Sequence, residues 1–169
     1  MLIPVVVESV RMNLTNGQRV VILKDEKLER YLLIWVGTNE STAIAMELQS
    51  EKAPRPLTAD LLKSIIDELG ARVAEVSVTD LHDDVFYARI GIVNAQNERL
   101  DIDARPSDAI ALAVRSASPI FVEDGILDKA SITLPTEQDE RLDVYRDFVN
   151  QLFQQHGQDL EEGERRPDA

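Results

Sequence analysis

The sequence predicts an α+β fold with mixed or antiparallel sheets, in which a unit of three strands and a helix occurs twice. Three observations lead to this class: short stretches of alternating apolar residues, turn signals between them, and helical spacing after each Arg-Pro pair. The 169 residues suit one ordinary domain, and 44% of them are hydrophobic. The chain is therefore long enough and apolar enough to bury one core.

The first half of the chain contains strand and helix patterns in alternation with turns. The predicted elements are strands at 2–12, 19–23 and 31–36 and helices at 40–48 and 58–69. Asn16-Gly17 is a strong hairpin signal between the first two strands. Gly70 is a suitable residue to end the second helix, because a left-handed residue commonly follows a helix.

The second half repeats the arrangement. The predicted elements are strands at 73–80, 86–92 and 100–104, a helix at 106–116 and a short strand at 120–122. Sliding the chain by 66 residues places Ser41, Ala43, Ile44 and Ala45 on Ser107, Ala109, Ile110 and Ala111. An internal duplication explains this match and predicts two similar sheet layers, whereas any two units of this kind would share much of the pattern.

The sequence divides into a domain and a tail. Residues 1–136 form the predicted domain, and residues 137–156 have the apolar spacing of an amphipathic helix that packs on this domain or extends it. Residues 157–169 are polar and acidic, which predicts disorder. The acidic helix also suits docking onto another protein or a second copy.

Composition excludes several classes of protein. The chain has no cysteine, which rules out disulfides and thiolate chemistry, and no apolar run approaches the roughly 20 residues that span a bilayer. The prediction is a soluble, cytoplasmic protein. The net charge is −13, of which residues 137–169 carry −6 (ten acidic and four basic residues), so the remainder carries −7. A role with nucleic acid would therefore need a local basic patch or metal ions bound by carboxylates.

Two Arg-Pro motifs share one design, with a hydroxyl and an aspartate at the start of a helix. The residues are Arg55, Thr58 and Asp60 in the first motif and Arg105, Ser107 and Asp108 in the second. A purely structural interpretation is that the hydroxyls cap the helices and the aspartates complement the helix dipole. A functional interpretation is that the helix start and the arginine bind a phosphate.

The aspartates fit phosphate binding if a divalent cation bridges carboxylate and phosphate. Oxygen ligands suit Mg²⁺ or Mn²⁺, so Asp60 and Asp108 are the candidate metal ligands. Asp80 ends a strand, and by alternation its side chain lies on the same apolar face as Val76 and Val78. A carboxylate on a buried face needs a hydrogen-bonding or charged partner. We expect it to pair with Arg55 or Arg105, and we count it with Asp60 and Asp108 as a candidate catalytic residue.

Several motifs in the correct order resemble the bifunctional nuclease domain family. They are Tyr31-Leu32-x-Ile34-Trp35-Val36-Gly37, Arg55-Pro56-Leu57-Thr58-x-Asp60-Leu61, Asp80-Leu81 with Phe86-Tyr87-Ala88, Arg105-Pro106-Ser107-Asp108-Ala109-Ile110, and Pro119-Ile120-Phe121-Val122. The resemblance covers roughly residues 2–135. It implies an α+β fold, a homo-oligomer and cleavage of both DNA and RNA.

By position, seven residues match the family's polar motif residues: Arg55, Thr58, Asp60, Asp80, Arg105, Ser107 and Asp108. We infer phosphate binding for Arg55, Arg105, Thr58 and Ser107, and catalysis for Asp60, Asp80 and Asp108. Members of the family often have His between the Thr and the Asp of the first motif, where this chain has Ala59. The predicted function is metal-assisted hydrolysis of phosphodiester bonds in nucleic acid. Two alternatives remain: a non-catalytic oligomeric regulatory protein that binds an anion or a partner, and a purely structural role for the motifs.

Overall fold

The computed structural model describes residues 1–133, and its elements confirm the α+β class. In chain order they are β1 (Leu2–Met12), β2 (Arg19–Asp25), β3 (Arg30–Val36), α1 (Thr38–Leu48), α2 (Thr58–Glu68), β4 (Arg72–His82), β5 (Val85–Val93), β6 (Arg99–Ala104), α3 (Pro106–Ser116), β7 (Ile120–Glu123), α4 (Asp124–Ala130) and β8 (Ile132–Thr133). The predicted helix at 137–156 and the tail at 157–169 lie outside the described residues.

Within residues 1–133 the strands form one mixed sheet of eight, in the order β6-β5-β4-β7-β1-β2-β3-β8. The β4–β7 pair is parallel and every other pair is antiparallel. The expectation of two sheet layers is wrong, because β7 joins β4 to β1 and makes the two three-stranded units neighbours in one sheet. The internal duplication itself stays a prediction.

The turns follow the residues that the sequence supplies. Gly17 has a φ of +72° in the β1–β2 hairpin, a conformation that glycine adopts without steric cost. Asp83 and Asp84 both have positive φ, 48° and 61°, between β4 and β5. A two-residue turn with positive φ at both positions matches the twist of the flanking strands. Aspartate tolerates this left-handed conformation better than most other residues do. The turn at Asp83 and Asp84 places the end of β4 beside the start of β5.

The four helices of residues 1–133 share one core with one face of the sheet. Each contributes buried apolar residues to it, among them Ile44, Ile66, Ile110 and Leu127. A smaller apolar cluster lies on the other face of β2 and β3, around Val20, Ile22 and Tyr31. No helix in residues 1–133 is long and apolar enough to cross a membrane. The helices are therefore held by this core, and their first turns carry the polar motifs.

Candidate functional site

Three helices have an acidic residue at the third helical position. These are Glu40 in α1, Asp60 in α2 and Asp108 in α3. A carboxylate in the first turn is stabilised by the free N–H groups and the positive end of the helix dipole. The sequence identified the two aspartates but not Glu40, because Glu40 has no Arg-Pro pair before it.

The predicted capping roles of Thr58 and Ser107 are wrong. The residues that precede the helices are Leu57 for α2 and Arg105 for α3, so Thr58 and Ser107 already lie inside them. The carboxylate of Asp60 accepts the N–H of Leu57 at 2.8 Å and supplies the hydrogen bond expected of a cap. Ser107 is only 7% exposed, which argues against contact of its hydroxyl with a large ligand.

Arg105 is bound by two carboxylates at the start of α3. Its Nε donates to Asp108 Oδ2 at 2.7 Å, and its Nη2 donates to Asp108 Oδ1 at 3.1 Å and to Glu40 Oε1 at 2.9 Å. The hydrogen bonds to Asp108 and Glu40 raise the pKa of Arg105. The side chain of Arg105 is 68% exposed and therefore accessible to a ligand. We call Arg105, Asp108 and Glu40 the Arg105 cluster.

Gly37 gives Glu40 the space that it occupies. A methyl group added at Gly37 would collide with the Glu40 carboxylate, while the φ of Gly37, −70°, is open to any residue. The collision involves the end of a flexible side chain, so the carboxylate can move away with little effect on the fold.

We expect Gly37→Ala to separate Glu40 from Arg105 while α1 stays folded. If the Arg105 cluster binds a ligand as a unit, this substitution weakens binding or activity roughly as Glu40→Gln does. Thermal unfolding would show a native-like transition in both variants. Full activity in both variants would show that Glu40 has no role in the site.

The first Arg-Pro motif has a different arrangement, in which Asp60 pairs with Arg115. Arg115 Nε donates to Asp60 Oδ1 at 2.6 Å, and its other nitrogens donate to the carbonyls of Ala43 and Ala111, each at 3.0 Å. Arg115 is only 4% exposed and joins α1, α2 and α3. Although burial opposes ionisation, the Leu57 N–H and Arg115 together lower the pKa of Asp60. Asp60 therefore has a firm structural role.

Sequence reasoning missed Arg115. The available signal was its position seven residues after Asp108, on the same face of a helix whose intervening residues are all apolar. A buried arginine in such a helix requires partners for its donors. Two of those partners, Asp60 and the carbonyl of Ala43, come from other helices, and their proximity is not readable from the local pattern.

Arg55 lies at the rim of an open cavity of about 280 Å³ beside the Asp60–Arg115 pair. Lys52 also lines this cavity, together with residues from the end of α1. Within residues 1–133, Arg55 and Lys52 form no hydrogen bond or ion pair, and both are exposed. Glu47 and Glu51 line the same cavity, so Arg55 and Lys52 stand beside carboxylates and the lining as a whole has no excess of positive charge.

The predicted pairing of Asp80 with Arg55 or Arg105 is wrong. Its carboxylate accepts the N–H of Leu81 at 2.8 Å and contacts Nε2 of His82 at 2.8 Å. The Leu81 N–H, followed by His82, lowers the pKa of Asp80. An irregularity between Val78 and Asp80 breaks the strict alternation of β4. Asp80 therefore does not share the buried face of Val78, and its side chain is exposed.

The carboxylates do not assemble a resident metal site in the part of the chain that the structure describes. No group of three or more His, Asp or Glu residues there could hold a metal ion. Asp60 and Asp108 are bound by different arginines, Arg115 and Arg105, near opposite ends of α3. Glu40 and Asp108 both contact Arg105 and offer the better pair of oxygen ligands. Mg²⁺ is commonly held by one or two carboxylates together with substrate phosphates and water.

Comparison with known proteins identifies the class of this domain. The family model described as bifunctional nuclease domain matches residues 21–135, and the chain belongs to this family. A Mycobacterium tuberculosis protein described as uncharacterized is 39% identical over 134 residues, which cover 79% of each chain. Bifunctional nuclease 1 of Oryza sativa subsp. indica is 31% identical over 105 residues, 60% of this chain and 32% of the rice protein. Bifunctional nuclease 1 of Arabidopsis thaliana is 29% identical over 133 residues, 72% of this chain and 41% of its own.

Proposed function

We propose that this protein is a nuclease that hydrolyses phosphodiester bonds of DNA and RNA, with the Arg105 cluster as the reacting site. The observation that carries the proposal is the arrangement of Arg105 between two carboxylates at an exposed helix start. Membership of the bifunctional nuclease domain family and the names of the two plant relatives support the reaction type. The phosphate would be held by the two nitrogens of Arg105 that now contact carboxylates.

Charge at the cluster favours assistance by a divalent cation. Arg105 contributes +1 and Glu40 and Asp108 each contribute −1, so the cluster carries −1 and repels a phosphate. Glu40 and Asp108 would hold a Mg²⁺ or Mn²⁺ ion, whose two positive charges would bring the cluster to +1. When bound, the cation would supply the attacking hydroxide and stabilise the leaving oxygen.

The residues of the first motif have supporting roles in this proposal. Arg55, with Lys52, would hold a neighbouring phosphate of the chain at the cavity rim. Asp60 acts through Arg115, which fixes α2 against α3, and so it positions the cavity wall. Thr58 is exposed at the start of α2 and is available to the same phosphate. Asp80, bound to His82, is not needed by the mechanism.

Cleavage of labelled DNA and RNA, single- and double-stranded, tests the proposal. We expect wild-type protein to cleave with Mg²⁺ or Mn²⁺ and to lose cleavage with a chelator. Asp67→Asn on α2 is the matched control, because it removes an exposed carboxylate whose ion pair within residues 1–133 is with Lys63, at 2.5 Å. Cleavage that persists in chelator would contradict the metal-assisted mechanism, and no cleavage of any substrate would contradict the function.

The second candidate function is binding of an anion or an acidic partner without catalysis. The observation that favours it is that Asp60 and Asp108 are both already neutralised by an arginine. In addition, this chain has Ala59 at the position where members of the family often have His. Wild-type protein that binds a labelled oligonucleotide, and releases it unchanged in the presence of metal, would favour this function over the nuclease.

A further inference from the structure

Among residues 1–133, the strand β6 lies at one edge of the sheet and exposes large apolar side chains. Leu100 and Ile102 are 47% and 46% exposed. They pair with Ile92 and Ile90 of β5, which are buried in the main core, so all four lie on the helix side of the sheet. Within residues 1–133, β6 has no strand on its outer side. Its outer backbone groups are therefore available to another strand.

The other face of β6 carries charged residues. Arg99, Asp101 and Asp103 lie there, one residue out of phase with the apolar pair. Arg99 contacts Glu75 at 2.7 Å and Asp101 at 3.2 Å. The strand thus has one apolar face and one face with opposite charges separated by four residues.

We propose that β6 pairs antiparallel with β6 of a second copy of this chain, about a two-fold axis at Asp101. This register places Arg99 opposite Asp103 of the second copy, and Leu100 opposite its Ile102. Because the axis repeats each contact, the interface has two ion pairs on one face and two apolar pairs on the other. The two Asp101 side chains meet at the axis, and each contacts Arg99 of its own strand.

The charge pattern of β6 favours a second copy as its partner, because the strand is complementary to itself in this register. The second copy also suits the exposed apolar residues of α2, because α2 packs on the helix side of the sheet, as Leu100 and Ile102 do. These α2 residues are Leu61, Leu62, Ile65 and Leu69.

A single introduced cysteine tests the register, since the chain contains no cysteine. In Asp101→Cys the two thiols face each other across the axis, with Cα atoms about 5 Å apart, within reach of a disulfide. In the control Arg99→Cys the two positions are four residues out of register, about 13 Å apart. We expect mild oxidation of full-length protein to give a covalent dimer on a non-reducing gel with Asp101→Cys only. Absence of that dimer, or equal yields from both variants, would overturn the proposal.

Charge reversal tests the ion pairs independently of the cysteines. Arg99→Asp alone and Asp103→Arg alone each place like charges opposite each other, and we expect each to weaken the dimer roughly tenfold by sedimentation equilibrium. The double variant restores opposite charges and should recover the dimer, although it cannot restore the contact of Arg99 with Glu75. A monomeric wild type, or no recovery in the double variant, would overturn the interface. Nuclease activity is not needed for either readout.

Discussion

Arg105→Lys is expected to lower kcat/KM for phosphodiester cleavage roughly 100-fold, the cost of losing one well-placed donor in an active site. Lysine keeps the positive charge but loses the planar fork that contacts Asp108 with two nitrogens and Glu40 with one. It cannot orient a phosphate through two parallel hydrogen bonds. The reduction should therefore appear in kcat as well as in KM.

The matched control is Arg72→Lys, at an exposed arginine that begins β4. Both substitutions keep the net charge, so a general electrostatic effect on substrate binding would affect them equally. We expect the control to retain wild-type kcat and both variants to unfold at the wild-type urea concentration. Equal activity of Arg105→Lys and the control would show that charge alone, and not the shape of the guanidinium, is used.

Arg30→Met is expected to give the largest loss of stability, about 3 kcal/mol, because it leaves a buried carboxylate without its cation. Asp25 is 1% exposed and receives two hydrogen bonds from Arg30, at 3.1 and 2.9 Å. Arg30 also binds Asp124 and Asp128, which fixes α4 to the start of β3. Methionine fills a similar volume, so the loss reports the charge and not a cavity.

Urea unfolding of Arg30→Met measures this loss, with Lys63→Met as the control. Lys63 pairs with Asp67 on the exposed face of α2, and such pairs contribute about 0.5 kcal/mol or less. A loss below about 1 kcal/mol in Arg30→Met would mean that the Lys27 and Leu28 N–H groups stabilise Asp25 without Arg30.

The stability that Asp25 contributes depends on pH. Although burial favours the neutral form of this carboxyl group, the two N–H groups and Arg30 lower its pKa. The contribution of the ionised carboxylate to the free energy of unfolding is therefore lost as the pH falls below about 4.

In the part of the chain that the structure describes, local patterns were sufficient to predict most strands and the three longer helices. Alternation, the Asn16-Gly17 turn and the Arg-Pro helix starts are encoded within a few residues of each other. α4 was missed because Asp124–Ala130 is only seven residues long and contains Gly125, so it has little helical signal of its own. It is held by buried Ile126 and Leu127 and by the ion pairs to Arg30.

The candidate site was predicted in its residue types and only partly in its arrangement. Arg105 and Asp108 are close in sequence, and their pairing follows from the first turn of α3. Glu40 and Arg115 enter through contacts across 65 and 55 residues, which no local pattern specifies. Asp80 was misplaced because an irregularity in β4 changes the alternation that the prediction assumed. Long-range packing and one strand irregularity therefore account for the errors.

The most direct test of the central claim is the rate at which Asp108→Asn cleaves labelled RNA and DNA in Mg²⁺ or Mn²⁺, measured beside wild type and Asp67→Asn. The substitution keeps the size of the side chain at a position whose side chain is 44% exposed, so the fold should be preserved. We predict that Asp108→Asn loses metal-dependent cleavage while Asp67→Asn keeps it. Equal cleavage by all three proteins would contradict the account, because the reaction would then take place away from the Arg105 cluster or in a contaminating enzyme.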